Sequence, residues 1–276
     1  MATTVSFAVD SPAGRRTAEV AYERTGSGAP LVLLHGIGHH RQAWDPVLRI
    51  LAAERDVIAL DLPGFGASPA LPQGLSHDLR TMVPLLGSLF DAIGVERPHV
   101  AGNSLGGLLA LELGREKLVR SVTAFSPAGF RTRSERRYAF GVLRAMRGAA
   151  LSMPMPLIEG LSRSSPGRTV LTSTIYARPG RRSPDAVVSE TVALREATGF
   201  RQTLEAGLTV AFTDDVPDLP VSIAWGDKDR LLLRRQGGRA KHVVPGARLV
   251  RLPGCGHVPM NDDPAAVARV ILDTSR

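Results

Sequence analysis

Three short stretches of the chain are apolar with almost no interruption: "PLVLLHG" from Pro30, "DVIALDLPGFG" from Asp56 and "PHVAGNS" from Pro98. A strand with one wet face alternates apolar and polar side chains, so a continuous run marks a strand covered on both faces. Each run is followed by residues at helical spacing. Trp44, Val47, Leu48 and Leu51 share one helix face in "AWDPVLRILAAE". "HDLRTMVPLLGSLFDAIG" is helical, with Pro84 expected to kink it and Gly94 to stop it. "LGGLLALELG" follows the third run. Repeated strand–helix units form a parallel sheet with helices on both faces, and the expected class is α/β.

"TAEVAYERTG" reads as an amphipathic strand before these units and "VRSVTAFSPAG" as a strand after them. From about Phe130 to Asp215 the alternation stops. "RSERRYAFGVLRAMRGAALSMPMPLIEGLSR" and "SPDAVVSETVALREATGFRQTLEAGLTVAF" are helical in pattern, punctuated by "SPGRTVL" and "ARPGRRSP". After Pro220 strands return in "PVSIAWGDKD" and "ARLVRLPGCGH", separated by a helix over "LLLRRQGGRAKHVV" that Gly237 and Gly238 weaken. A last helix opens at Asp263 and Pro264, an N-cap followed by proline at the first helical position. The expected organisation is a core of residues 1–129 and 216–276 interrupted by a helical cap of residues 130–215.

At 276 residues and 43% apolar, the chain is long enough to bury a core of this size in one domain. No run is long enough to cross a bilayer, and the N-terminal stretch lacks the basic start and apolar run of a secretory signal. One cysteine, Cys255, allows no intrachain disulfide. The expected location is therefore cytoplasmic. The net charge of +8 suggests nucleic acid or an anionic surface. Yet the only lysines are Lys117, Lys228 and Lys241, and no aromatic RNA-binding signature or zinc-finger spacing accompanies the arginines. The expected partner is a small molecule, not nucleic acid or membrane, and the expected state is a monomer or a homodimer.

Gly102-Asn103-Ser104-Leu105-Gly106 lies where a strand turns into a helix. A serine hydroxyl is a poor nucleophile unless it is exposed, aimed and next to a base. A sharp turn aims it, small neighbours let strand and helix touch, and the helix N-terminus turns its free N–H groups toward the same spot. Taken alone, the pentapeptide is also compatible with an ordinary turn serine.

The rest of the chain decides between the two readings, because it resembles the α/β-hydrolase fold superfamily over nearly its whole length. "LVLLHGIG" resembles that family's third-strand block, "DVIALDLPGFGAS" the block after its fourth strand, "GNSLGG" its nucleophile elbow, and "GDKD" and "GCGHVP" its acid and histidine blocks. The resemblance implies a mostly parallel eight-stranded sheet and Ser104 as nucleophile. It implies an oxyanion hole from the backbone N–H groups of Ile37 and Leu105. His257, which follows the acid in the chain, becomes the base. Asp227 and Asp229 both stand near a strand end, and the family pattern selects Asp229 to orient the histidine. Asp61 and His35 take structural roles. His39, Trp44 and Phe130 are candidate pocket residues, with Tyr138, Met153 and Met155 from the cap. His35, His39 and His40 straddle a turn without metal-ligand spacing, and "GFGASP" is not a dinucleotide fingerprint, so no metal or cofactor is expected.

These residues imply acyl transfer, with a carboxylic ester as the default substrate. Serine at the elbow disfavours the dehalogenase and epoxide hydrolase branches, which use aspartate there. Asn103 before the serine resembles hydrolases that cleave C–C bonds of aromatic ring-fission products. The oxyanion loop "HGIGHH" and Val258 after the histidine depart from that branch. Lactonase, perhydrolase and acyltransferase chemistry share the same residues, and a non-catalytic binding protein on this fold is the alternative of another class. The cap arginines read either as a site for an acidic substrate or as a solvated surface.

Overall fold

A computed structural model describes residues 2–10, 14–216 and 218–276. The three apolar runs form neighbouring parallel strands: β3 (Ala29–Leu34), β4 (Arg55–Leu60) and β5 (His99–Asn103), numbered with β1 (Thr3–Val9) and β2 (Arg16–Gly26) before them. β6 (Ser121–Phe125), β7 (Val221–Gly226) and β8 (Arg248–Leu252) continue the sheet in parallel. The order is β1-β2-β4-β3-β5-β6-β7-β8, eight strands among the described residues. β2 runs antiparallel to both of its neighbours, β1 on one side and β4 on the other. β1 is a strand that hydrophobic pattern alone does not mark.

Successive side chains of a strand point to opposite faces. In β3, Val32 and Leu34 enter one core and Leu31 and Leu33 the other. The first core is covered by α2 (Leu79–Ala92) and α3 (Leu105–Arg115), numbered after α1 (Asp45–Leu51). The second is covered by α1 and by the last helix, α11 (Pro264–Thr274). Two covered faces are the physical reason the runs are continuous. α2 continues through Pro84 without a break, with the proline on its exposed side.

Between β6 and β7 the described residues form five α-helices, α4 (Arg133–Ser152), α5 (Met155–Ser162), α6 (Ser165–Thr172), α7 (Pro184–Glu196) and α8 (Phe200–Ala206), with a 3-10 turn at Pro179–Arg181. "SPGRTVL" is a helix, α6, rather than a break. The Ser164 side chain accepts the Gly167 N–H and Pro166 sits in the first turn. After β7 the helix α9 (Gln236–Val243) starts later than its sequence suggests, and the short α10 (Pro259–Asp262) precedes α11. The delay is local: Asp229 accepts the N–H groups of Leu231 and Leu232, which holds the chain in turns up to residue 235.

Many arginines of the insertion are joints rather than a solvated surface. Arg147 donates to the carbonyls of Leu194 and Ala197, linking α4 to the end of α7. Arg195 reaches back to Met153 O, Arg168 to Ser162 O, and Arg178 and Arg181 to Asp262 O. Glu135 completes a capping box with Thr132 and pairs with Arg235 and Arg239 beside and within α9, tying the insertion to the core. No helix among the described residues is long and apolar enough to cross a membrane.

Two buried histidines give the fold an acid limit. Burial pushes His40 and His99 down to about 4. Each is neutral when folded and gains a proton more readily when unfolded, so its contribution is complete above pH ~6.5 and falls away as the pH drops toward 4. Thermal unfolding followed from pH 7 to 4 is expected to show a steep fall in Tm. His99→Gln, which keeps a partner for the Ser121 hydroxyl that contacts His99 Nδ1 at 2.7 Å, is expected to flatten it.

Candidate active site

Ser104 is the single residue between β5 and α3, and its backbone sits at φ +57° and ψ −111°. That is a costly conformation for a residue with a Cβ. Three hydrogen bonds hold it. The Ser104 N–H donates to Phe125 O on β6 at 2.9 Å, and the Ser104 carbonyl accepts from Leu108 and Ala128 N–H, each at 3.0 Å. Strand and helix approach so closely that a Cβ on Gly102 would lie 2.0 Å from Gly106 O, and one on Gly106 would lie 2.1 Å from Leu34 O. Both obstacles are backbone atoms and have no rotamer to escape into. Gly106→Ala is therefore expected to cost ~3 kcal/mol or more and to leave little folded protein, read by circular dichroism and thermal unfolding.

Asp229 lies three residues past the end of β7, and its side chain is fully buried. Oδ1 accepts from Leu231 N–H at 2.9 Å and Leu232 N–H at 2.8 Å, and Oδ2 stands 2.9 Å from His257 Nδ1. Asp227 faces elsewhere: it accepts from Gly254 N–H and Arg251, and braces the turn after β8. The loop carrying His257 is held at several points. The Asn103 amide donates to His257 O at 2.9 Å and to Phe125 O at 3.1 Å. Asp262 accepts Gly256 N–H at 2.8 Å, and Val258 N–H donates to Ile175 O in the insertion at 3.0 Å. Asp262 also accepts the N–H groups of Ala177 and Arg178, so one buried carboxylate joins the histidine loop to the insertion.

Two adjoining cavities share Ser104 in their walls. The first is lined by Ile37, Leu105, Leu108, Phe140 and Leu204, with His77, Asp78, Arg131 and Thr203 as polar members beside Ser104. The second is lined by Gly36, Ile37, His39, Asn103, His257 and Glu190. Leu143 of α4 and Leu231 of the loop after β7 border both. The walls thus come from the core on one side and the insertion on the other. Leu105 opens α3, so its N–H has no helical carbonyl to meet.

Of the residues expected from sequence, Ser104, Ile37, Leu105, His39 and His257 meet at these cavities, with Asp229 directly behind His257. Trp44 does not. It is wholly buried, edge-on to Phe125 at 6.2 Å in the core that α1 and α11 cover, and borders neither cavity. Phe130 packs against Phe212 at 5.7 Å inside the core rather than on a cavity wall. Tyr138 is exposed and donates to Arg230 O, and neither Met153 nor Met155 borders the cavities. His35 and Asp61 have structural contacts: His35 Nε2 accepts Leu62 N–H, and Asp61 holds Arg41 and the Ala67 N–H. Burial pushes the Cys255 thiol up to about 12, which leaves it inert.

His77, Asp78, Arg131, Thr203 and Glu190 are polar cavity residues that sequence reasoning missed. Glu190 left one trace. It falls on the buried stripe of α7 with Val187 and Ala193, where a carboxylate is out of place.

A twisted α/β sheet with a strained serine at the end of one strand and a paired aspartate and histidine after two later strands defines a hydrolase-type α/β protein. The chain belongs to the alpha/beta hydrolase family, whose sequence model matches residues 31–270. An uncharacterized protein of Mycobacterium tuberculosis is 27% identical over 267 residues, which cover 91% of this chain and 76% of that protein. The pimeloyl-[acyl-carrier protein] methyl ester esterase of Aeromonas hydrophila is 29% identical over 264 residues, covering 91% of this chain and 97% of its own. Among solved structures, a thermophilic esterase from Thermogutta terrifontis superposes with a TM-score of 0.76 at 20% identity, covering 98% of this chain and 97% of that one.

Proposed function

We propose that the protein is a serine hydrolase that cleaves small or medium carboxylic esters through an acyl-enzyme. The observation that carries this reading is the 2.9 Å contact between Asp229 Oδ2 and His257 Nδ1, made at the wall of a cavity that Ser104 also lines. A carboxylate accepting from Nδ1 keeps the ring proton there and leaves Nε2 with a free lone pair. Nε2 then takes the Ser104 proton as Oγ attacks the ester carbon. Asp229 stabilises the imidazolium, and the N–H groups of Ile37 and Leu105 hold the oxyanion. His257 returns the proton to the leaving alkoxide, and a water activated by the same histidine hydrolyses the acyl-enzyme. Residues 130–215 act as the cap that closes over both cavities and keeps bulk water from the reaction. The methyl ester esterase among the relatives supports an ester over other acyl compounds. Asn103, which resembles the C–C hydrolase branch, has a local task in holding the His257 loop. A chain with one cysteine and no spanning helix among its described residues fits a cytoplasmic setting.

The test is hydrolysis of p-nitrophenyl esters from acetate to laurate by the wild type and by Ser104→Ala. Turnover that disappears in the variant supports the nucleophile. The apolar first cavity predicts a preference for acyl chains longer than acetate. A folded wild type inactive on every chain length would overturn the ester reading.

A further inference from the structure

The cavity on the His257 side ends against a polar group that ester hydrolysis itself does not require. His39, Tyr176, Arg182 and Glu190 are each more than nine-tenths buried. Their proton directions are set by a chain of contacts. His39 Nδ1 accepts the His40 N–H at 3.1 Å, so the ring proton of His39 stands on Nε2. That proton is donated to Tyr176 Oη at 3.3 Å, and Tyr176 donates to Glu190 Oε1 at 2.8 Å. Arg182 donates to the same oxygen. Burial holds His39 well below its ordinary range, in keeping with a single ring proton. Both donors to Glu190 meet at Oε1, and Oε2 is buried with no hydrogen-bond partner among the described residues. A carboxylate oxygen left in that condition is costly unless something else supplies a donor.

Glu190 lines the cavity that contains His257, and His257 does not line the other. The histidine must reach the leaving oxygen to protonate it, so the alcohol part of the ester occupies the Glu190 side and the acyl part the first cavity. Arg182 already balances the charge of Glu190, so a neutral hydroxyl fits better than an ammonium group. Resting on the serine-hydrolase reading above, we propose that the enzyme is selective for esters whose alcohol part carries a second hydroxyl. Such compounds are monoesters of diols or polyols, and Glu190 Oε2 accepts the free hydroxyl.

The test compares kcat/KM for 2-hydroxyethyl, 3-hydroxypropyl and 4-hydroxybutyl octanoate with the alkyl esters of equal length, in which a methyl replaces the hydroxyl. An apolar cavity without an acceptor favours the alkyl ester. A cavity built around Glu190 favours the hydroxyalkyl ester, by roughly tenfold or more at the chain length that reaches Oε2. The paired replacement Glu190→Met with Arg182→Met removes both charges together, so neither stays buried alone, and is expected to reverse the preference. A wild type that prefers the alkyl ester at every length, with turnover dependent on Ser104, would overturn this inference and leave the hydrolase reading standing. A hydroxyl preference that survives in the paired variant would also overturn it. No Ser104-dependent turnover of any ester would overturn the hydrolase reading and this inference with it.

Discussion

Alanine in place of Ser104 is expected to lower kcat/KM on p-nitrophenyl esters by about 10⁴-fold or more, leaving what the oxyanion donors and the cavity supply by themselves. The same position stores strain. At φ +57° and ψ −111° a side chain costs of order 1–3 kcal/mol. Ser104→Ala keeps the Cβ and so keeps the strain. Ser104→Gly removes it, at the cost of ~0.4–1 kcal/mol for a freer unfolded chain. The expected result is two inactive proteins of different stability, the glycine variant above the alanine variant by ~1 kcal/mol in thermal or urea unfolding. Equal stability would mean that the elbow is not a strained turn. A gap in this direction would show that stability is given up at Ser104 for the aim of one hydroxyl.

Asp229→Asn is expected to cost about 10³–10⁴-fold in kcat/KM with little loss of stability. The two carboxylate oxygens have separate tasks. Oδ1 holds Leu231 and Leu232, and an asparagine carbonyl can do the same. Oδ2 holds His257 Nδ1, and an amide NH2 placed there donates where it should accept. The imidazole then carries its proton on Nε2, facing Ser104, and cannot take another. Asp229→Ala removes both tasks and is expected to lose activity and also lower Tm, because the turn before α9 loses its anchor. Comparing the two variants by kinetics and by unfolding separates the role in orienting the histidine from the role in folding the loop. Asparagine with near wild-type activity would remove Asp229 from the mechanism.

Much of this was legible in the chain because it follows from local geometry. A buried strand needs apolar residues on both faces, and β3, β4 and β5 have them. A strand-to-helix turn this tight admits no side chain at Gly102 or Gly106, since backbone atoms already occupy the space. The N-cap of α11 at Asp263 is likewise set by its own few residues, the side chain accepting Ala266 N–H at 3.0 Å. Asp229 was separable from Asp227 only by family pattern. In the structure the two are told apart by what each faces, His257 or the turn at Gly254.

The residues that line the cavities were decided by packing between segments far apart in the chain. Trp44 satisfies its helical periodicity against any apolar surface, and its packing against Phe125 in the core under α1 and α11 keeps it off both cavity walls. Glu190 gains its meaning from Tyr176 and Arg182 on other segments of the insertion and from His39 in the core. The arginines of the insertion gain theirs from carbonyls at helix ends that pattern does not locate. Periodicity tells which side of a helix or strand is buried, but not against what. The sheet, the elbow and the order of serine, aspartate and histidine are properties of short segments, and so they stood in the sequence. The cavities, their polar end and the arginine joints of residues 130–215 depend on which surfaces meet, and only the tertiary structure brings those surfaces together.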